Sequence, residues 1–166
     1  MRNRKSRAAT ALVAAASAVA LALPCASAVA AGSHGGHHAG EAASAIGEPG
    51  DAASVSRTIQ VDMTDNMRFS PADIKVKAGE TVRFVVRNAG KLRHEMVLGT
   101  EADLKAHYAE MLKMPEMEHA DPNAVTLEAS QRGEMVWRFT RSGRVDFACL
   151  QPGHYDAGMR GQVSVR

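Results

Sequence analysis

Cysteine is scarce in this 166-residue chain, which contains only Cys25 and Cys149. Cys25 lies in an N-terminal segment with the features of a cleaved leader, so the mature chain keeps one cysteine. A single thiol excludes a disulfide within the mature chain. Because exported proteins normally use cysteines in pairs, an unpaired one indicates a reactive or metal-bound thiol.

Long hydrophobic runs are also missing. The uncharged run 8–23 is shorter than the roughly 20 residues that a membrane-spanning helix needs. It follows a basic start at 2–7 and precedes small residues at 26–31. This order is typical of a secretory signal peptide, which we predict over residues 1–30. We therefore expect a periplasmic protein with no membrane span after cleavage.

Neither sign of charge dominates the chain. The leader carries four of the 20 Lys and Arg residues and none of the 18 Asp and Glu residues, so the mature chain has 16 basic against 18 acidic residues. The positive charge of the precursor therefore comes from the leader, and no nucleic-acid partner is implied. No internal repeat is evident, and we expect a monomer.

Large apolar residues are nearly absent between the leader and residue 55. Residues 31–54 are rich in Ala, Gly and Ser, and they carry a cluster of His34, His37 and His38. Such a segment buries too little apolar surface to offset its conformational entropy. We therefore predict a flexible arm over 31–54 and one folded domain over 55–166.

The folded domain is made of short runs in which apolar and polar residues alternate. The apolar positions are Ile59, Val61 and Met63; Ile74 and Val76; Val82, Phe84 and Val86; Val125 and Leu127; Met135, Trp137 and Phe139; Val145, Phe147 and Cys149; Val163 and Val165. Turn pairs such as Ala78-Gly79 separate these runs. This pattern predicts an all-β fold, a Greek-key β-sandwich.

One stretch departs from the alternation. Leu104, Tyr108 and Met111 recur at helical spacing, Thr100 is a suitable N-cap, and Pro115 ends the run. We predict one short helix in a connection between strands.

The clearest chemistry follows the strand that ends near Cys149. Four residues separate Cys149 from His154, and four more separate His154 from Met159. Turn pairs at 152–153 and 157–158 allow this loop to fold back and present all three side chains to one point.

A second histidine, His94, follows an upstream strand that ends at Asn88-Ala89-Gly90. With His94 included, the candidate ligands are two imidazoles, one thiolate and one weak thioether. This is the ligand set of a trigonal copper site with a long axial bond.

With these residues, the chain from about Ile59 to its C-terminus resembles the cupredoxins, the family of plastocyanin, azurin, auracyanin and rusticyanin. The spacing from Cys149 to Met159 is similar to that of auracyanin and rusticyanin rather than to the tighter plastocyanin loop. The resemblance implies one type 1 copper, with His94, Cys149 and His154 as equatorial ligands and Met159 as the axial ligand.

The chain departs from this family at two positions beside the first histidine. In plastocyanins and azurins an asparagine typically follows that histidine and ties the two ligand loops together, whereas here the residue is Glu95. Arg93 rather than glycine precedes His94, which argues against an azurin-like backbone ligand.

Each candidate ligand has a simpler interpretation when it is taken alone. A lone buried cysteine is most often a small core residue, and a lone methionine usually fills space. Their joint occurrence at ligand spacing favours the metal site. Zinc fits poorly, because structural zinc sites use several thiolates or imidazoles and make no use of methionine.

A methionine-rich segment could hold a further copper ion. Met111, Met114 and Met117 recur every third residue, with His119 close behind. Thioethers favour Cu(I), so these residues could form an auxiliary site. The alternative, that Met111 packs along the helix and the others cover the sandwich, stays open.

The histidine-bearing arm offers another possibility. If cleavage follows Ala31, the mature chain begins Gly32-Ser33-His34, and its amine, two backbone nitrogens and imidazole suit square-planar Cu(II). Cleavage after Ala28 or Ala30 would remove this site. A solvated linker with weak metal affinity is the other interpretation.

Two functions are compatible with the same copper site. One is copper tolerance, in which the protein handles periplasmic copper together with other copper-handling proteins and has a redox-active Cu(II)/Cu(I) centre. The other is a soluble one-electron carrier, which would dock a transient redox partner on an apolar rim of Leu150, Pro152, Tyr155 and Met159. The extra His and Met residues favour tolerance, and the chain resembles periplasmic cupredoxins associated with it.

A copper enzyme is the third class that we weigh. Copper oxidases and nitrite reductases need a second copper centre, typically from His-x-His pairs and a histidine beside the cysteine. The predicted domain has no such pair, and Ala148 and Leu150 flank Cys149. We therefore expect a protein that is not an enzyme.

Overall fold

Residues 45–115 and 120–166 are described in the structure, which is a computed structural model. In chain order their strands are β1 (Glu48–Pro49), β2 (Arg57–Thr64), β3 (Arg68–Ser70), β4 (Asp73–Val76), β5 (Thr81–Asn88), β6 (His94–Gly99), β7 (Ala124–Leu127), β8 (Arg132–Arg138), β9 (Gly143–Ala148) and β10 (Arg160–Val165). They form two five-stranded sheets, ordered β1-β8-β5-β2-β3 and β4-β10-β9-β6-β7. Strands β2 and β5 pair in parallel, as do β4 and β10.

The two sheets enclose one apolar core, which confirms the predicted β-sandwich. Phe84 and Trp137 come from the first sheet and Phe147 from the second, and each is at most 1% exposed. The rings of Phe69 and Phe147 meet edge to face at 5.0 Å and join the sheets directly. Full burial of such a side chain contributes about 1.5–3 kcal/mol to stability.

The sequence does not predict strand β6, because its residues do not alternate. All six residues of β6 are buried. Met96 and Leu98 belong to the core between the sheets, whereas Val97 belongs to a second apolar cluster. When both faces of a strand are covered, its period-two pattern disappears.

Helix α1 (Glu101–Met111) contributes to that second cluster and confirms the predicted helix in a connection. Its N-cap is Thr100, whose hydroxyl accepts a hydrogen bond from the backbone N–H of Asp103 at 3.2 Å. Leu104, Tyr108 and Met111 are the buried residues of α1. Within the described ranges, no helix has the length and apolar character needed to cross a membrane.

The prediction that a flexible arm extends to Ser54 is wrong for residues 46–54. Ile46 is only 4% exposed, and its carbonyl accepts a hydrogen bond from Trp137 Nε1 at 2.8 Å. The next residue, Gly47, has φ +108°, and a Cβ there would lie 2.2 Å from the carbonyl oxygen of Arg138. A single large apolar residue and a buried indole that needs an acceptor are therefore enough to bring this Ala- and Gly-rich segment onto the sheet.

Candidate metal centre

Three of the four predicted ligands lie together at one edge of the second sheet. His94 begins β6, and Cys149 directly follows β9, its antiparallel neighbour. The start of β6 and the end of β9 therefore meet at this edge. His154 comes from the loop after Cys149, and the donor atoms of the three residues all lie within 4.8 Å of one another.

The donor atoms face one another closely. His154 Nδ1 lies 3.2 Å from His94 Nδ1 and 3.3 Å from Cys149 Sγ. His94 and Cys149 are fully buried, whereas His154 is half-buried. Two imidazole nitrogens and one thiolate suit copper, so the residues present fit the metal that the sequence predicts.

The ligand loop between Cys149 and Met159 is held by its own turns. Gly153 and Gly158 adopt φ of +84° and +90°, which favours glycine at both predicted turn pairs. The backbone N–H of His154 donates to the carbonyl of Gln151 at 3.0 Å. These turns bring the end of the loop back to its beginning.

Met159 closes this loop from a fully buried position. Its N–H donates to the carbonyl of His154 at 3.0 Å, and its carbonyl accepts from the N–H of Cys149 at 3.1 Å. The backbone of Met159 is thus bonded to two candidate ligands. Its role as the axial ligand stays a prediction.

Burial shifts the pKa of the Cys149 thiol and that of the half-buried His154 imidazole in opposite directions. Burial raises the pKa of the Cys149 thiol to about 12, and the Glu95 carboxylate adds to this, while backbone N–H donors from Glu95 and Gln151 oppose it. The pKa of His154 is lowered, chiefly by burial and then by the neighbouring His94. At neutral pH the metal-free site therefore holds a protonated thiol and a neutral His154 imidazole.

Glu95 links the two ligand-bearing segments, although it stands where family members typically have asparagine. Its carboxylate accepts a hydrogen bond from the N–H of Leu150 at 2.9 Å and one from the hydroxyl of Thr126 at 3.3 Å. Its own N–H points at Cys149 Sγ, 3.5 Å away. The carboxylate of Glu95 thus connects the start of β6 to the ligand loop and to β7.

Tyr108 of helix α1 is a site residue that sequence reasoning missed. Its hydroxyl accepts from the N–H of Gly153 at 3.0 Å and donates to the carboxylate of Asp156 at 2.9 Å. Its ring stacks on Tyr155 at 5.1 Å. Both hydrogen-bond partners belong to the ligand loop, so α1 helps to hold this loop in place. The helical spacing of Tyr108 indicates burial but gives no sign of these bonds.

The predicted apolar docking rim around His154 is wrong for three of its four members. Leu150 and Met159 are fully buried, and Tyr155 is 6% exposed. Helix α1 covers Leu150 and Tyr155, which share its apolar cluster. Only Pro152 is exposed.

The predicted auxiliary sites are only partly within the described residues. Met111 is 2% exposed and packs in the apolar cluster beneath α1, whereas Met114 is 47% exposed. The packing interpretation is therefore confirmed for Met111. Met117, His119 and the histidines of the arm lie outside the described residues.

Comparison with known proteins finds a copper-binding family and relatives named for copper resistance. Residues 55–166 match the family described as copper binding proteins of the plastocyanin/azurin family. The copper-resistant cuproprotein CopI of Rubrivivax gelatinosus is 57% identical over 133 residues, which are 80% of this chain and 81% of that protein. CopI of Pseudomonas aeruginosa is 42% identical, covering 74% and 83% of the two chains.

Solved structures show the same fold. The reduced auracyanin of Roseiflexus castenholzii superposes with a TM-score of 0.58 at 23% identity, covering 68% of this chain and 98% of that one. The sandwich and the cluster of His94, Cys149 and His154 are consistent with a copper-binding cupredoxin. The chain belongs to the plastocyanin/azurin family of copper-binding proteins.

Proposed function

We propose that this protein is a periplasmic cupredoxin that protects the cell against excess copper, and that its copper centre is redox-active. The observation that carries the proposal is the cluster of His94, Cys149 and His154 in a chain 57% identical to a protein named for copper resistance. The predicted signal peptide supports export to the periplasm, where other copper-handling proteins would be its partners.

Copper, when bound, supplies a one-electron change between Cu(II) and Cu(I). The protein's part is to offer a fixed donor set. Backbone turns, the carboxylate of Glu95 and the hydroxyl of Tyr108 all hold the ligand loop. A loop held in this way needs little rearrangement as the charge of the centre changes. Ala148 and Leu150 flank Cys149 where copper enzymes would place a histidine, which supports binding and redox exchange rather than catalysis.

We further propose that Met159 is the axial ligand. Its burial and its backbone bonds to Cys149 and His154 support this role. A thioether favours Cu(I), so Met159→Gln should keep copper and lower the reduction potential by about 59 mV or more, a tenfold shift for one electron. Protein-film electrochemistry measures the change, and an unaltered potential in copper-loaded Met159→Gln would remove Met159 from the site.

One observation favours the alternative function, a one-electron carrier. His154 is half-buried while His94 and Cys149 are fully buried, so the His154 ring is the part of the centre nearest to solvent. A transient redox partner could exchange an electron through this edge. Such a carrier would need copper at one site only.

Copper stoichiometry and growth together distinguish the two functions. If the protein handles excess copper, the mature form should bind more than one copper ion. Exchanging His34, His37 and His38 for glutamine should then lower this number and leave the absorption band of the Cys149 centre unchanged. A host that lacks the protein should grow normally without added copper and poorly with it.

The measurements of stoichiometry and growth can also favour the one-electron carrier. A stoichiometry of one, with unchanged copper sensitivity in the deletion strain and a respiratory or photosynthetic defect at ordinary copper levels, would establish the carrier instead. The matched control for the arm exchanges Ser33 and Ser44 for alanine, which alters the same segment without touching an imidazole. Copper content is measured by elemental analysis.

A further inference from the structure

His94 uses only one of its ring nitrogens to face the metal centre. Nδ1 lies 3.2 Å from His154 Nδ1, and Nε2 lies 3.0 Å from a carboxylate oxygen, Oδ1 of Asp65. Asp65 belongs to the turn between β2 and β3, which are strands of the opposite sheet. The side chain of His94 is fully buried, whereas that of Asp65 is 37% exposed.

The contact with Asp65 determines which ring nitrogen of His94 carries the proton. The carboxylate of Asp65 accepts hydrogen bonds from the backbone N–H groups of Lys91 and Leu92, and an aspartate carboxylate offers only acceptors. Nε2 of His94 must therefore carry the proton. In a neutral imidazole the lone pair then sits on Nδ1, the nitrogen that faces the other ligands.

The backbone of residues 90–92 packs closely around the carboxylate of Asp65. The N–H of Lys91 donates to Asp65 Oδ2 at 2.8 Å, and the N–H of Leu92 donates to Oδ1 at 3.2 Å. A Cβ at Gly90 would lie 1.9 Å from Oδ1, so only glycine leaves room for the carboxylate at this point. Asp65 is thus held independently of His94.

We propose that Asp65 is a positioning residue of the copper centre, which orients His94 through Nε2 and shifts the centre toward Cu(II). A copper ion with one thiolate has a net charge of +1 as Cu(II) and zero as Cu(I), so a nearby negative charge favours the oxidised form. An imidazole that donates to a carboxylate is also a more basic ligand, which acts in the same direction. Both effects lower the reduction potential. The effect on potential rests on the proposed redox activity, whereas the orientation of His94 does not.

The test compares two aspartates near the same end of the fold. Asp65→Asn removes the charge at the ring, whereas Asp62→Asn removes the same charge from a half-buried residue of β2 that pairs with Arg87 instead of a ligand. We expect Asp65→Asn to favour Cu(I) at least tenfold over wild type, about 59 mV for a one-electron couple. Asp62→Asn should shift the ratio less than threefold.

A spectroscopic measurement reads the orientation directly. Pulsed electron paramagnetic resonance of the Cu(II) protein detects the remote nitrogen of each bound imidazole. Asp65→Ala should change the coupling of one remote nitrogen and leave the other as in wild type. Gly90→Ala keeps the charge but displaces the carboxylate, so it should change the same coupling.

These measurements separate the possible outcomes. Equal potentials in Asp65→Asn and Asp62→Asn, with unchanged nitrogen couplings in Asp65→Ala and Gly90→Ala, would overturn the proposal. If wild type shows no reversible couple, the redox role fails, while the nitrogen couplings still decide whether Asp65 orients His94. Metal analysis and circular dichroism establish that each variant is loaded and folded.

Discussion

Replacing Cys149 by serine is expected to abolish the copper centre and leave the sandwich folded. The thiolate is the source of an intense ligand-to-Cu(II) visible band, and a serine hydroxyl stays protonated at neutral pH and gives a poor ligand. The side chain is fully buried, so exchanging thiol for hydroxyl should cost no more than about 1–3 kcal/mol of stability. Visible absorption and copper content measure the loss, and circular dichroism with thermal melting checks the fold.

The outcome also bears on the proposed function. A strain that carries only Cys149→Ser should be as copper-sensitive as the deletion strain if the centre itself confers tolerance. Ser142→Ala is a suitable control, because this serine is exposed and belongs to no candidate copper site. A folded Cys149→Ser protein that retains the visible band would show that the thiolate is not a ligand.

The second large effect is a dependence of copper affinity on pH. Burial raises the pKa of Cys149 to about 12, so the thiol is protonated throughout the neutral range. A metal-bound thiol is deprotonated, so each copper that binds displaces one proton from Cys149. Below the raised pKa, the apparent affinity should therefore rise about tenfold for each unit of increasing pH.

Two measurements check this dependence. Competition with a chelator of known protonation gives the affinity at several pH values, and calorimetry in buffers of different ionisation enthalpy counts the protons released. Cys149→Ser should lose the proton release along with the strong binding. An affinity that does not change with pH in wild type would mean that the thiol is already ionised before copper arrives.

The sequence predicts most of the strands and the pairing of Cys149 with His154 because their signals are local. Alternation in β5 or β10 follows from one buried face, and the spacing around Cys149 and His154 follows from two glycine turns. These patterns need no knowledge of distant parts of the chain. With His94 added, these patterns are sufficient to indicate copper.

The remaining contacts depend on residues far apart in sequence. Asp65 contacts His94 from the opposite sheet. Tyr108 contacts Gly153 of the ligand loop from helix α1. An aspartate in a turn and a tyrosine on a buried helical stripe look ordinary until the chain is folded. The packing of Ile46 does not follow from the sequence for a related reason, because composition averaged over a window hides one anchoring residue.

The hydrogen bonds of Tyr108 also bear on how long the metal remains bound. The ligand loop has turns but no strand pairing between Cys149 and Met159, so part of its order comes from α1 through Gly153 and Asp156. A local opening of the helix breaks both bonds at once, and such openings cost less free energy than global unfolding. The lifetime of the bound ion is thus tied to the packing of a helix that contributes no ligand.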